Sequence, residues 1–205
     1  MKYTGPKARL SRRLGVALTP KAARIMERKP YSPGEHGPVK MGGRRPKISD
    51  YSRQLTEKQK LRAQYNIHER QMLNYYTKAI KMKGNSAENL VGLLESRLDA
   101  LVQRAGFAPT IYAARQIVNH GHVQVNGLRV NIPSYQVKPG DVITVAEKSR
   151  RIPMMQEARE NRGGSAPEYI TVDMDAMRAT YTRLPKREEV PIICEVPSVV
   201  EFYSR

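Results

Sequence analysis

The chain has 205 residues and carries 36 Lys and Arg against 19 Asp and Glu, a formal net charge of +17. That length suits one or two domains with a real core, yet no stretch approaches the ~18 apolar residues of a membrane span. The opening MKYTGPKARLSRR has no apolar run of the secretory kind, and the single cysteine, Cys194, excludes a disulfide framework and a cysteine-rich zinc site and fits a reducing cytoplasm. An excess of this size repels itself unless a polyanion neutralises it, which points to nucleic acid or an anionic membrane surface.

The charge is unevenly spread. Residues 1–47 hold 13 Lys and Arg and two acids, whereas residues 167–205 are net −2. The first segment is punctuated by Gly5, Pro6, Gly15, Pro20, Pro30, Pro33, Gly34, Gly37, Pro38, Gly42, Gly43 and Pro46, which break periodic structure. A short helix is expected around Lys21–Glu27, without a wide apolar stripe. The segment therefore reads as an extension that orders fully only against a partner. Tyr3, Tyr31 and the Pro-Gly turns distinguish it from a low-complexity tail.

From Tyr51 to Gly84 the pattern is helical, with capping boxes expected at Thr56/Gln59 and Asn66/Glu69. Met72, Tyr76, Ala79 and Met82 should face a core, with Arg70, Lys78 and Lys81 off that stripe. Gly84 and Asn85 stop the helix, and Ser86 is the expected N-cap of the next. Leu90, Leu94, Leu98, Leu101 and Ala105 then form one long apolar face, ended by Gly106. Pro109 and Thr110 open a short helix that buries Ala114, Ile117 and Val118 and closes on Gly121 in the left-handed region. Val123 and Val125 alternate, Asn126-Gly127 is a two-residue hairpin turn, and Val130 and Ile132 resume the alternation. Lys138–Asp141 fits a type II turn, and Ile143 and Val145 close the small β unit. Residues 147–165 are polar, with a linker or turn at Gly163-Gly164. Tyr169–Asp173 and Val190–Cys194 read as strands, and VPSVVEFYSR should pack back onto another domain.

The expected class is α+β: a basic extension over 1–47, a helical domain over 48–92 on which 196–205 packs, and a mixed domain over 93–195. The last contains a unit at 95–158 of two short helices and a small antiparallel sheet.

There is no phosphate-cradling glycine loop, no HExxH and no nucleophile elbow. His120 and His122 lack further metal ligands within a plausible span, and an imidazole is favoured at a helix C-terminus in any case. Carboxylates such as Glu57, three residues before Lys60, read as helix-surface partners of Lys and Arg rather than acid/base catalysts. No catalytic residue, metal, cofactor or small-molecule substrate is therefore expected. The segment Glu95–Val145 instead offers Arg97, Arg104, Arg115, Gln116, Asn119, His120, Arg129, Tyr135 and Lys138, a mixture that suits structured RNA: cations for phosphates, amide and imidazole groups for 2′-hydroxyls or base edges, a tyrosine for stacking. Its net charge is only +2, so the same side chains could equally solvate a small domain.

The stretch SRLDALVQRAGFAPTIYAARQIVNHGHVQVNG, followed by IPSYQVKPGD, resembles the S-four RNA-binding module found in ribosomal proteins, pseudouridine synthases and tyrosyl-tRNA synthetases. With YTGPKARLSRR, YSPGEHG at 31–37, SDYSRQLTEKQKLRAQYNIHERQ at 49–71 and the terminal VVEFYSR, the whole chain is similar, in order, to the family of bacterial small-subunit ribosomal protein four. The resemblance implies a primary binder of small-subunit ribosomal RNA at a junction in the 5′ domain, located on cytoplasmic ribosomes. It also implies nucleation of body assembly, a part in decoding fidelity and, in some bacteria, repression of its own operon. Its implied neighbours are small-subunit ribosomal proteins five and three, near the path by which messenger RNA enters; no membrane partner is implied. Many relatives bind a metal through four N-terminal cysteines; here Ala8 and Ser11 stand at the first two positions and Pro20–Met26 has no cysteine, so the chain resembles a metal-free variant.

The candidate ribosomal-RNA contacts on the extension are Lys2, Tyr3, Lys7, Arg9, Arg12, Arg13, Lys21, Arg24, Arg28, Lys29, His36, Lys40, Arg44, Arg45 and Lys47. The helical domain adds Arg53, Lys58, Arg62 and Arg70. The module adds Arg97, Arg104, Arg115, Gln116, Asn119, His120, His122, Asn126, Arg129, Tyr135 and Lys138. An RNA-modifying enzyme built on the module would need a catalytic domain of ~200 residues, and only 47 follow Ala158. A helix-turn-helix DNA binder fits the two short helices but not the hairpin and the basic arm. The acidic Asp173, Asp175, Glu188 and Glu189 either meet a basic protein neighbour or form a solvated face.

Overall fold

The structure, a computed structural model, describes residues 3–37, 48–160 and 166–204. The chain forms two compact units, one from Met1–Tyr76 with Ile192–Arg205 and one from Thr77–Pro191. The boundaries thus fall inside a helix and in the acidic C-terminal segment, whereas the sequence reading places them at 47/48, 92/93 and 195/196. The expected turn at Gly163-Gly164 lies outside the described residues.

The first unit is helical. Helix α1 (Lys7–Leu14) ends on Gly15 at φ +70, and α2 (Pro20–Arg28) starts from Thr19, whose hydroxyl accepts the Ala22 N–H at 3.1 Å. The two helices pack together with Leu14, Val16 and Ala22 buried, and the buried Ser11 hydroxyl accepts the Leu18 N–H. The extension therefore has a small core of its own, and α1 is a helix that its low apolar content conceals.

Helix α3 (Asp50–Gln64) starts at Ser49, which caps the Ser52 N–H at 3.2 Å. Thr56, the expected cap, lies within the helix and donates to the Ser52 carbonyl instead. Asn66 does not open α4 (Glu69–Lys81) but leaves α3 with φ +49, a left-handed conformation asparagine tolerates. The α4 entrance is closed by Gln71 accepting the His68 N–H. Met72, Tyr76 and Ala79 are buried as expected; Met82 lies beyond the helix end and is exposed.

Helix α9 (Val196–Ser204) packs along α3, and polar side chains on α3 hold the chain leading to it. Gln54 reaches Glu201, Glu57 accepts the Glu195 N–H, and the Gln64 amide pairs with both the N–H and the carbonyl of Ile193. That last pairing explains why the strand expected at Val190–Cys194 does not form: Ile193 bonds a side chain rather than a ladder. Glu69 accepts from Lys58 at 2.8 Å and from the Tyr203 hydroxyl at 2.6 Å, while the Lys58 ammonium lies 4.3 Å from the Phe202 ring centre. The Tyr203 ring also stacks on Tyr76.

The second unit is mixed. Asn85, not Ser86, caps α5 (Ser86–Glu95), accepting the Ala87 N–H at 2.9 Å. The long apolar face is divided between α5 and α6 (Leu98–Arg104) because Arg97 turns extended and bridges to Gln136. Helix α7 (Ile111–Asn119) is capped by Thr110. The sheet is antiparallel throughout, in the order β2-β1-β3-β5-β4, formed by β1 (Val123–Val125), β2 (Leu128–Arg129), β3 (Val142–Val145), β4 (Ile170–Asp173) and β5 (Arg178–Tyr181). Asn126 at φ +50 and Gly127 at φ +81 make the hairpin turn, and Gly140 at φ +94 completes the turn from Lys138 to Asp141. Val130 still bonds Val123, but Ile132 is exposed and belongs to no strand. Strand β5 was not expected, because its turn uses Met177 at φ +50 with no glycine or asparagine to signal it. Nor was α8 (Pro153–Glu160), which begins on a proline, at a first-turn position whose N–H has no intrahelical partner to lose.

Burial alone would raise the Glu69 carboxyl; the hydrogen bonds from Lys58 and Tyr203 and the charges of Lys58 and Arg62 outweigh it and hold the group below its usual value. A lowered carboxyl stabilises the fold above its unfolded pKa and loses that contribution as pH falls through the folded one. Glu69→Gln should therefore lower stability at neutral pH by about 1–2 kcal/mol, the lower part of the charge-assisted range because the carboxylate is 44% exposed. Thermal melts at several pH values check this: the difference between wild type and variant should shrink as pH falls below about 4.

Candidate nucleic-acid interface

In the first unit, α1 and α2 expose Arg9, Arg13, Lys21, Arg24 and Arg28, followed by Lys29 and, in the next loop, His36. The only acids before Asp50 are Glu27 and Glu35. Arg12 is turned to a structural use: it donates to the carbonyls of Tyr31 at 3.0 Å and Ser32 at 3.3 Å, with its guanidinium 4.7 Å from the Tyr31 ring centre. The loop so tied to α1 needs glycine at Gly37, where a Cβ would lie 1.8 Å from the Ser32 carbonyl oxygen. Lys7 bonds the Tyr3 carbonyl at 2.6 Å and lies over its ring. Arg53 is exposed beside Asp50, and Arg70 is exposed on α4. Lys58 and Arg62 are engaged by Glu69, Lys58 almost wholly buried. Lys2, Lys40, Arg44, Arg45 and Lys47 lie outside the described residues.

In the second unit the decisive group is Asp99. Its side chain is fully buried and receives Arg97 at 3.0 and 2.7 Å and the guanidinium of Arg115 through Nε, at 3.0 Å, and Nη2. Alongside, the buried Glu95 carboxylate takes Arg104 at 2.8 Å and the Tyr169 hydroxyl at 2.9 Å. Burial and the Glu95 charge push the Tyr169 phenol upward, so it remains a donor. Arg97, Arg104 and Arg115 thus hold the framework. Arg104 joins α6 to α5 and Arg115 joins α7 to α6, while the backbone N–H groups of Leu98 and Asp99 fix the segment after the hairpin by donating to the carbonyls of Tyr135 and Pro133.

That framework presents Gln116, Asn119 and His120 on the exposed side of α7, with Arg129, Tyr135 and Lys138 exposed from the hairpin onward. Arg129 donates to the His120 carbonyl at 3.2 Å, and its guanidinium occupies the space a side chain at Gly121 would need. Asn126 is exposed but engaged within the turn: its amide N–H bonds Asp141 at 2.8 Å and its amide oxygen accepts the Val142 N–H at 2.9 Å. The His122 Nδ1 lies 2.9 Å from the Ser149 hydroxyl. Exposed Leu128 and Ile132 accompany Arg129, an apolar feature that strand alternation hides. Among the described residues, no three His, Cys, Asp or Glu side chains are placed to hold a metal ion. Of the acidic C-terminal residues, Glu189 is held by both arms of Arg183, whose hydrogen bonds bring its carboxyl down to about 2.

Comparison with known proteins gives two family matches: Ribosomal protein S4/S9 N-terminal domain over residues 2–95, and S4 domain over residues 96–143. The chain is 52% identical over 201 residues to small ribosomal subunit protein uS4 of Micrococcus luteus, covering 96% of this chain and 95% of that one. It is 53% identical over 200 residues to the protein of the same name from Paenarthrobacter aurescens, covering 97% and 95%. Against that of Geobacillus sp. it is 50% identical over 204 residues, covering 100% and 99%.

Two substitutions probe the framework. Asp99→Asn leaves two buried guanidinium groups without their counter-charge and should cost ~3–5 kcal/mol, read from denaturant unfolding; a loss under about 1 kcal/mol would contradict this account. Gly121→Ala places an L side chain at φ +72 and a Cβ 2.2 Å from Arg129 Nε. It should cost about 1–2 kcal/mol in the same measurement.

Proposed function

The chain belongs to the family of small ribosomal subunit protein uS4, and from that premise we propose that it is a structural, non-catalytic constituent of the small subunit of cytoplasmic ribosomes that binds small-subunit ribosomal RNA. The observation that carries this reading is the extent of the match, which takes in the basic extension and the module together.

In this reading residues 1–47 act as a basic arm, 48–92 with 196–205 as a helical body, and 95–158 as the RNA-binding module. The protein docks at a junction of the 5′ domain and nucleates assembly of the subunit body. Its neighbours are small-subunit ribosomal proteins five and three, near the path by which messenger RNA enters, and with them it affects decoding accuracy. Repression of its own operon is a further part of the reading. The exposed Arg9, Arg13, Lys21, Arg24, Arg28 and Lys29 supply phosphate contacts, joined by the charged positions outside the described residues. Gln116, Asn119, His120, Arg129, Tyr135 and Lys138 form the contacting face of the module. Arg12, Lys58, Arg97, Arg104 and Arg115 act by holding the surfaces that make contact.

Phosphate neutralisation releases counterions, so log affinity for 5′ domain RNA should fall linearly with log salt, by roughly 0.7–0.9 per contacted phosphate. Arg129→Gln should weaken binding and reduce the magnitude of that slope by about one. Filter binding over a salt series measures both, and a flat response would exclude RNA binding of this kind. Duplex DNA should compete poorly at matched salt.

A further inference from the structure

We propose that the cleft between α1 and the Ser32–Pro33 turn seats one unpaired RNA nucleotide, its base against the Tyr3 ring and its flanking phosphates on Arg9 and Arg13. This rests on the RNA-binding reading above and sharpens it, since phosphate contact alone would accept any duplex backbone.

The cleft has a volume of about 490 Å³ and is lined by Tyr3, Arg9, Leu10, Arg13, Ser32 and Pro33. That lies within the range of small-ligand pockets, roughly 300–1,000 Å³. The lining has two guanidinium groups, an aromatic ring, two apolar side chains and no carboxylate. Arg9 and Arg13 lie four residues apart on α1 and so project from the same face. A surface that only tracks a backbone needs cations; it does not need a concave wall with Leu10 and Pro33 in it. An aromatic platform in a recess edged by cations is how proteins take up unstacked bases, and the flanking arginines match the phosphates on either side.

Both walls are built before any ligand arrives. The Tyr3 hydroxyl donates to the Pro6 carbonyl at 3.2 Å, and its ring lies against Gly5, where a Cβ would come within 2.7 Å of the hydroxyl oxygen. Lys7 holds the Tyr3 carbonyl and sits 5.1 Å from the ring centre, yet the residue remains 40% exposed. The opposite wall is fixed by Arg12, which bonds the carbonyls of Tyr31 and Ser32. Little ordering is left for binding to impose, the condition under which a single stacked base contributes measurably.

The test uses the full chain and 5′ domain RNA, with far-UV circular dichroism confirming that each variant is folded. Tyr3→Ala should weaken binding roughly five- to a hundredfold, the usual range for removing a base platform. Tyr3→Phe, which keeps the ring and loses only the hydrogen bond to Pro6, should lose a small part of what Tyr3→Ala loses. Arg9→Gln and Arg13→Gln should each reduce the magnitude of the salt slope by about one. Ultraviolet irradiation of the wild-type complex should join Tyr3 to an unpaired nucleotide. Wild-type affinity in Tyr3→Ala, or equal losses in Tyr3→Ala and Tyr3→Phe, would overturn the proposal. So would an effect confined to the arginines, which would mark a backbone contact. A wild-type chain with no salt-dependent affinity for the RNA would instead overturn the reading beneath it, and the proposal with it.

Discussion

Asp99 has no exposed side-chain surface, and two guanidinium groups converge on it. Removing three charges from water is costly, and the attraction between them offsets that cost only in a tightly defined geometry. The arrangement therefore acts less as a source of stability than as a constraint on shape. Arg97 belongs to the break between α5 and α6, Asp99 to the first turn of α6, and Arg115 to the middle of α7. Satisfying the carboxylate sets the position of α7, and with it the face bearing Gln116, Asn119 and His120. The same break lets the N–H groups of Leu98 and Asp99 take the carbonyls of Tyr135 and Pro133, so the chain after the hairpin is fixed by the first turn of α6. Glu95 repeats the device, tying Arg104 and, through Tyr169, the strand β4 that follows.

The first unit solves a comparable problem with weaker means. Its C-terminal helix is short, and much of what holds it is polar: from α3, Gln54 reaches Glu201 in the helix, while Glu57 and Gln64 reach the chain before it. Glu69 gathers Lys58, Arg62 and Tyr203 around a carboxylate that is still 44% exposed. Solvent screens such a cluster, so it directs packing while the burial of Leu61, Tyr65, Met72 and Val199 drives it.

Features that demand a particular backbone were legible in the sequence. Asn126-Gly127, Gly121 and Gly140 all take positive φ, and few residues accept that conformation. Caps were less legible. Ser49, Thr56, Asn66, Asn85 and Ser86 are all chemically able to cap, and the choice among them falls to tertiary packing that no local pattern records. Strand β5 escaped because a methionine takes the left-handed turn position. Helix α1 escaped because its apolar residues are few and its partner, α2, lies across a loop. For the site, charge singled out the basic segments but could not separate cations that face solvent from those bound internally. The pairs that decide this are distant in sequence: Arg104 with Glu95 nine residues away, Lys58 with Glu69 eleven, Arg115 with Asp99 sixteen.

That separation changes what the net charge means. Residues 93–145 carry Arg97, Arg104, Arg115, Arg129 and Lys138. The first three are matched to buried carboxylates. What this segment shows to solvent is Arg129 and Lys138 among amide, imidazole and phenol groups, a surface poor in charge and rich in directional hydrogen bonding, ahead of the exposed Lys148, Arg150 and Arg151 in the chain that follows. Residues 1–47 are the reverse, with 13 cations and two acids. Phosphate contacts place a protein on RNA without reading it, while directional contacts to 2′-hydroxyls and base edges discriminate. Under the proposed function, the two halves of the charge distribution correspond to two physical tasks. In the proposed function, the arm supplies affinity that salt can screen, and the segment held in shape by Asp99 supplies selectivity that salt affects far less.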